Sequence, residues 1–405
     1  MTWWRSWSAR ISVATASVLI SACATQANRA DDYPSERFDR LFHNAQQSAE
    51  VPGASIGVSV DGNIVWSRAF GMADLELDVP ANLNTRFRIG SASKPITATV
   101  LGRMVERGEI SLDDTVSKYI ADAPDAWKSI TVRQLASNRS GIRHYKPDEF
   151  QNGGRIWWQH FEEVEESLTL FAADPLVQAP GEGFHYSTYG WTLLAAILEK
   201  AGRADFPTLL HRDVFQPFQM SQSEIDHHFM IIPNRTRFYW RAPTGQIANA
   251  PFTENSYKWA GGGIVSTSED MLRFGQAWLT GDAVGAELRD LMWSPQGANS
   301  KHETAYGLGW FFGLDNTAER FVNARETVPQ SLLSMHDAKI EVVEHRGGQM
   351  GGSSVLWLFP QFDIVVSAHW NMSGEGRRLY AVTLQIACET IAAQPSAPEL
   401  ICEGA

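Results

Sequence analysis

The sequence is short of cysteine. Three occur in 405 residues, Cys23, Cys388 and Cys402. A disulfide framework is therefore excluded, and so is a paired Cys-x-x-Cys zinc site. No His-Glu-x-x-His segment occurs either, which removes a common metalloprotease signature. His227-His228 is an adjacent pair and reads as surface rather than as a metal site. Positive charge is scarce: 34 Lys and Arg face 46 Asp and Glu, for a net charge of −12. An acidic body lacks the basic patches that phosphate backbones require, which argues against nucleic acid as a partner. No apolar run is long enough to span a bilayer. No period of solenoid or propeller length recurs.

What remains is a folded, globular composition, 44% apolar and 20% charged. The length suits one large domain, or two lobes sharing a core. Residues 1–22 read as an export leader, with Arg5 and Arg10 ahead of a short apolar run from Ile11 to Ala22. The run ends in Ile20-Ser21-Ala22-Cys23, which resembles a bacterial lipobox. That resemblance implies a lipid on Cys23, a tether over 23–33 and a periplasmic protein anchored in a membrane. Ala24 after the cysteine points to the outer membrane. Ordinary cleavage after Ala24 is the other reading. In an oxidising compartment Cys388 and Cys402 can bridge or stay free, and both stay open.

Residues 34–49 carry Phe38, Leu41, Phe42 and Ala45 on one side of an expected helix. Ala54 to Val60 and Asn63 to Phe70 alternate around Asp61-Gly62, a hairpin signal. Phe87 to Ile89 reads as a third short strand. From Pro95 the period turns helical, and residues 95–260 hold helices and long loops, among them a helix from Tyr189 to Ala201. After Ala260-Gly261-Gly262-Gly263, residues 267–279 read as a capped helix. Tyr306 to Phe312 and Ile340 to Glu344 read as strands. Val355 to Phe359 and Ile364 to Trp370 form a second hairpin, and 375–393 is a closing helix. The expected fold is α+β: an antiparallel sheet flanked by terminal helices (about 34–92 and 261–393), with a helical lobe (about 93–260) inserted and a tail over 394–405. A cleft between the lobes is the natural ligand site.

The chemistry centres on Gly90-Ser91-Ala92-Ser93-Lys94. Three apart, Ser91 and Lys94 share one face of a helix. A desolvated lysine can serve as base to a serine nucleophile. An N-capping serine followed by a solvated lysine is the plainer account of the same residues. Tyr186 is a candidate proton carrier if positive charge lies beside it; otherwise it is a core tyrosine. His345-Arg346-Gly347-Gly348 suits a strand edge that offers a backbone N–H to an oxyanion. Its His345 and Arg346 are candidates to hold an anionic substrate end. Of the tryptophans, Trp157, Trp158, Trp240, Trp259 and Trp310 are candidate cleft walls.

In this order the segments resemble the penicillin-recognising serine hydrolases. The flanks narrow the likeness to the class C β-lactamase-like branch, which includes D,D-peptidases and esterases. Those flanks are Phe87 to Lys94, Ile130 to Ile142, Pro180 to Gly190, Ala260 to Asp270 and Glu344 to Pro360. Tyr186-Ser187-Thr188 and His345-x-Gly347-Gly348 are similar to the mitochondrial serine β-lactamase-like proteins of that branch. The resemblance implies a serine hydrolase with Ser91 as nucleophile and Lys94 and Tyr186 as proton carriers. It implies an oxyanion hole from the N–H groups of Ser91 and Gly348, substrate contacts from Thr188, His345, Arg346 and Gly347, and no metal or organic cofactor. The substrate is then an ester, amide or small peptide. A D,D-peptidase trimming cell-wall peptides, a weak β-lactamase and a non-catalytic penicillin-recognising module are the alternatives. Many relatives carry Asn where Thr188 stands and Lys where His345 stands, which weakens the case for a β-lactam.

Overall fold

A computed structural model describes residues 33–150, 155–297, 305–323, 326–374 and 377–402. The expected leader, Cys23 and nearly all of the expected tether lie outside the described residues. Seven strands form one antiparallel sheet in the order Val79–Pro80, Asn63–Asp74, Gly53–Val60, Ile364–Trp370, Gly352–Phe359, Val343–Gln349 and Phe311–Phe312. The centre of the sheet is thus an N-terminal strand paired with a C-terminal one. The first hairpin turns at Asp61 and Gly62, both with positive φ (47° and 78°), as a tight two-residue turn requires.

Alternation along these strands sends two sets of side chains to two cores. Ile56, Val58, Trp357, Val366 and Trp370 meet Phe38 and Phe42 of the helix Ser35–Ser48 and Leu384 and Ile391 of the helix Arg377–Ala392. Leu356, Leu358 and Val365 meet Leu272 and Phe274 of the helix Ser268–Thr280 on the other side. Thr267 caps that helix by accepting from the Asp270 N–H. Small residues make room for it: a side chain on Gly57 would meet Leu272 at 2.7 Å, and one on Gly275 would meet Val365 at 2.6 Å.

Three expectations change. Phe87–Arg88 does not join the large sheet; it pairs with Ile264–Ser266, which also pairs with Glu224–Ile225. Tyr306 to Phe312 is not one strand: Tyr306 bridges Phe311, because the chain turns between them through Gly309 at φ +86°. The strand expected from Ile340 begins instead at Val343, behind helices Leu314–Asn323 and Gln330–Asp337 that the reading of the sequence did not contain. Cys388 and Cys402 are bonded to each other.

Candidate active site

The turn Gly90–Ala92 carries Ser91 into the helix Ser93–Glu106. Two glycines let the strand Val343–Gln349 press against it. Gly90 has φ +51°, and a side chain there would stand 2.7 Å from the Gly348 nitrogen. A side chain on Gly347 would stand 1.7 Å from the Ile89 carbonyl oxygen. Gly348 has open space where a side chain would be, and with Ser91 it borders the pocket.

Lys94 is fully buried. Its Nζ donates to the Gly261 carbonyl at 2.6 Å, to Ser91 Oγ at 3.1 Å and to Thr188 Oγ1 at 3.3 Å. Burial, reinforced by the charge of Lys258, lowers its pKa well below the usual lysine value. The N-cap account therefore fails for this pair: Lys94 is not solvated, and Ser91 makes no side-chain cap. Tyr186 places its ring centroid 4.7 Å from Lys94 Nζ and lies near-parallel to Phe311.

Thr188 begins the helix Thr188–Gly202, with Ser187 as its cap accepting from the Gly190 N–H at 2.9 Å. The Thr188 N–H donates to Nδ1 of His144 at 3.1 Å. Burial, and then the charge of Lys94, pushes the His144 pKa down to about 3, so this imidazole is neutral. Tyr145 follows it, partly buried, sharing a hydrogen bond with Thr188. Beneath the turn, Arg88 Nε donates to Asp226 at 2.6 Å, and Arg88 also donates to the Met350 carbonyl at 3.0 Å. Asn255 donates to the same Asp226 oxygen at 2.6 Å. These bonds tie the strand before the nucleophile to the loops on both sides of the pocket.

Ser91, Lys94, Tyr186, Thr188, Gly347 and Gly348 therefore converge. Arg346 does not. Its guanidinium turns to the opposite side of the strand, donates to Glu344 at 3.1 Å and lies against Trp357 and Tyr380. Glu344 and Arg346 are two apart on a strand and share its helix-covered face. His345 faces the cleft side but is 1% exposed, packed on Phe311 and Tyr306, with Nδ1 bonded to the Arg346 carbonyl at 2.8 Å. It supports the aromatic wall behind Tyr186 rather than meeting solvent.

The pocket measures about 230 Å³ and is bordered by Ser91, Thr188, Gly261 and Gly348, with Tyr145, Trp157, Lys258 and Met350 as its larger side chains. Trp157 is the cleft tryptophan; Trp310 is core, against Phe274, Trp278 and Trp293. Lys258, His144 and Tyr145 were missed in the sequence. Each adjoins a recognised segment: Lys258 stands two residues before Ala260, where the segment Ala260 to Asp270 begins, and His144-Tyr145 just after Ile130 to Ile142.

A serine and a buried lysine in contact, framed by a tyrosine and a glycine strand edge, agree with the comparisons. The beta-lactamase family model matches residues 38–387. The chain belongs to the beta-lactamase family. The human serine beta-lactamase-like protein LACTB, mitochondrial, is 30% identical, over 86% of this beta-lactamase-family chain and 78% of LACTB. Penicillin-binding protein 4* of Bacillus subtilis is 24% identical, over 78% of this chain and 67% of that one. In fold, the octameric penicillin-binding protein homologue from Pyrococcus abyssi matches with a TM-score of 0.70 at 22% identity, covering 87% of this chain and 76% of that one. The family places this member among the serine hydrolases.

Proposed function

We propose that the protein hydrolyses an ester, amide or small peptide through an acyl-enzyme on Ser91. The observation that carries this is the buried Lys94 Nζ 3.1 Å from Ser91 Oγ. With its pKa lowered, Lys94 is available as a neutral amine, and its lone pair can take the serine proton across that contact. The Ser91 oxygen then attacks the substrate carbonyl. The N–H groups of Ser91 and Gly348 receive the oxyanion, and the proton passes by way of Tyr186 to the leaving group. Water next attacks the acyl-enzyme, and the same groups return the proton to Ser91. The chemistry of the wall, with Trp157, Tyr145 and Met350 beside Lys258, suits an acyl group that is mainly apolar and ends in a polar or anionic tip. The lipobox-like segment supports an exported, lipid-anchored protein acting at the cell envelope.

The test is covalent labelling. A fluorophosphonate should label wild type at Ser91, and a reporter ester should turn over. Ser91→Ala should lose both, with turnover falling about 10³-fold or more, and Lys94→Met should lose about 10²-fold or more in rate. Equal labelling of wild type and Ser91→Ala would falsify the assignment. Labelled penicillin and a D-Ala-D-Ala peptide on the same preparation separate the esterase reading from the peptidase one.

A further inference from the structure

Three segments meet at the outer wall of the pocket and bring together His160, His228 and Glu254. Glu254 is fully buried. Its Oε1 accepts from the N–H groups of Asn255 at 2.9 Å and Ser256 at 2.8 Å. Its Oε2 has no hydrogen-bond partner and faces two imidazole nitrogens, Nδ1 of His160 at 3.3 Å and Nδ1 of His228 closer still. Both Nδ1 atoms are buried without a hydrogen bond. A buried carboxylate oxygen and two buried imidazole nitrogens held this close together are costly unless a shared proton or a metal ion binds them.

We propose that His160, His228 and Glu254 form a divalent transition-metal site, with Zn²⁺ as its ion. The three ligand atoms lie within 4.8 Å of one another. Around a tetrahedral zinc with bonds near 2.0 Å, ligand atoms stand about 3.3 Å apart. The separation of His160 Nδ1 from Glu254 Oε2 already matches this, and small side-chain rotations bring the rest into line. Two nitrogens and one oxygen suit Zn²⁺ and its neighbours, whereas Ca²⁺ and Mg²⁺ take oxygen ligands. The backbone bonds to Oε1 orient the carboxylate, as outer partners do in metal sites. The fourth position is left for water.

The site stands apart from the Ser91 chemistry, and its role follows from what it ties together. His160 is three residues past Trp157, and Glu254 adjoins Thr253; Trp157 and Thr253 both border the pocket. The Glu254 N–H donates to the Trp157 carbonyl at 3.1 Å. A metal here fastens this wall to the loop carrying His228. It therefore acts on substrate fit, through KM, and leaves the proton transfers of Ser91 and Lys94 alone.

The experiment uses the purified protein without a polyhistidine tag, stripped with chelator and dialysed against ZnCl₂ or CoCl₂. One equivalent of Zn²⁺ should be retained per chain and raise the melting midpoint. Co²⁺ should give the visible d–d bands of a four-coordinate site. Glu254→Gln keeps the shape and the Oε1 contacts and should lose retention of the ion by tenfold or more. His228→Ala, at a partly exposed position, should do the same, and it decides the matter if the first variant does not fold. Circular dichroism confirms folding. Failure of wild type to retain one equivalent overturns the proposal, as does unchanged Co²⁺ absorption in a folded variant. Fluorophosphonate labelling of Ser91 reports separately on the hydrolase assignment and should persist in the stripped protein.

Discussion

At Lys258 burial sets a charge against the fold. Its pKa falls from 10.5 to about 7, through desolvation first and then the nearby Arg88 charge. Between those two values the unfolded chain binds more protons than the folded one, so this residue makes stability rise with pH. Below about pH 7 both states are protonated and the full penalty remains. Lys258→Met should therefore be more stable than wild type in acid. That advantage should shrink by about 1.4 kcal/mol per pH unit above 7. Urea denaturation of both proteins across the pH range checks this, and an advantage that stays constant would show that Lys258 does not titrate there. The same substitution removes the charge that helps lower Lys94. The acidic limb of kcat/KM should then move to higher pH, since Lys94 would hold its proton longer.

The strand Val343–Gln349 succeeds as an element because Gly347 lets it touch the Ser91 turn. A methyl group there meets the Ile89 carbonyl at 1.7 Å, so Gly347→Ala must push strand and turn apart. A shift on the order of 1 Å costs about 10²-fold in rate. Ester turnover should fall by that factor, and the melting midpoint should fall as well, since such overpacking costs about 1–3 kcal/mol; full activity would show that the close approach is not needed. Elements marked by strong local chemistry were legible in the sequence: the Asp61-Gly62 hairpin, the capped helix expected over 267–279, the Ser91-to-Lys94 spacing. What was not legible depends on which face a residue meets. Ala54 to Val60 alternates apolar with small or polar residues, yet the whole strand is buried, because Gly57 and Gly275 admit the helix Ser268–Thr280. Arg346 looked like an anion ligand, but the pleat sends it to Glu344. His160, His228 and Glu254 lie in three separate segments, and nothing in their spacing announces that they meet.

At the scale of the molecule, the fold closes end to end. Gly53–Val60 finds its partner in Ile364–Trp370, and the terminal helices pack together with Arg37 gripping Glu389 through two bonds of 2.8 and 3.0 Å. Half of the sheet therefore waits for the last residues of the chain, and whatever holds the C-terminal segment in place holds the whole. The Cys388–Cys402 bridge does so. It spans 14 residues and anchors the segment after the closing helix, where the Ile401 N–H also donates to Ser334 at 2.8 Å. Closing a loop of that length removes unfolded-state entropy equivalent to about 3 kcal/mol. Cys402→Ser should therefore lower the melting midpoint by roughly 5 °C. Reductant should lower the wild-type midpoint by a similar amount and leave that of the variant where it is. A wild-type midpoint indifferent to reductant would mean that packing of the closing helix, and not the bridge, holds the C-terminal segment in place.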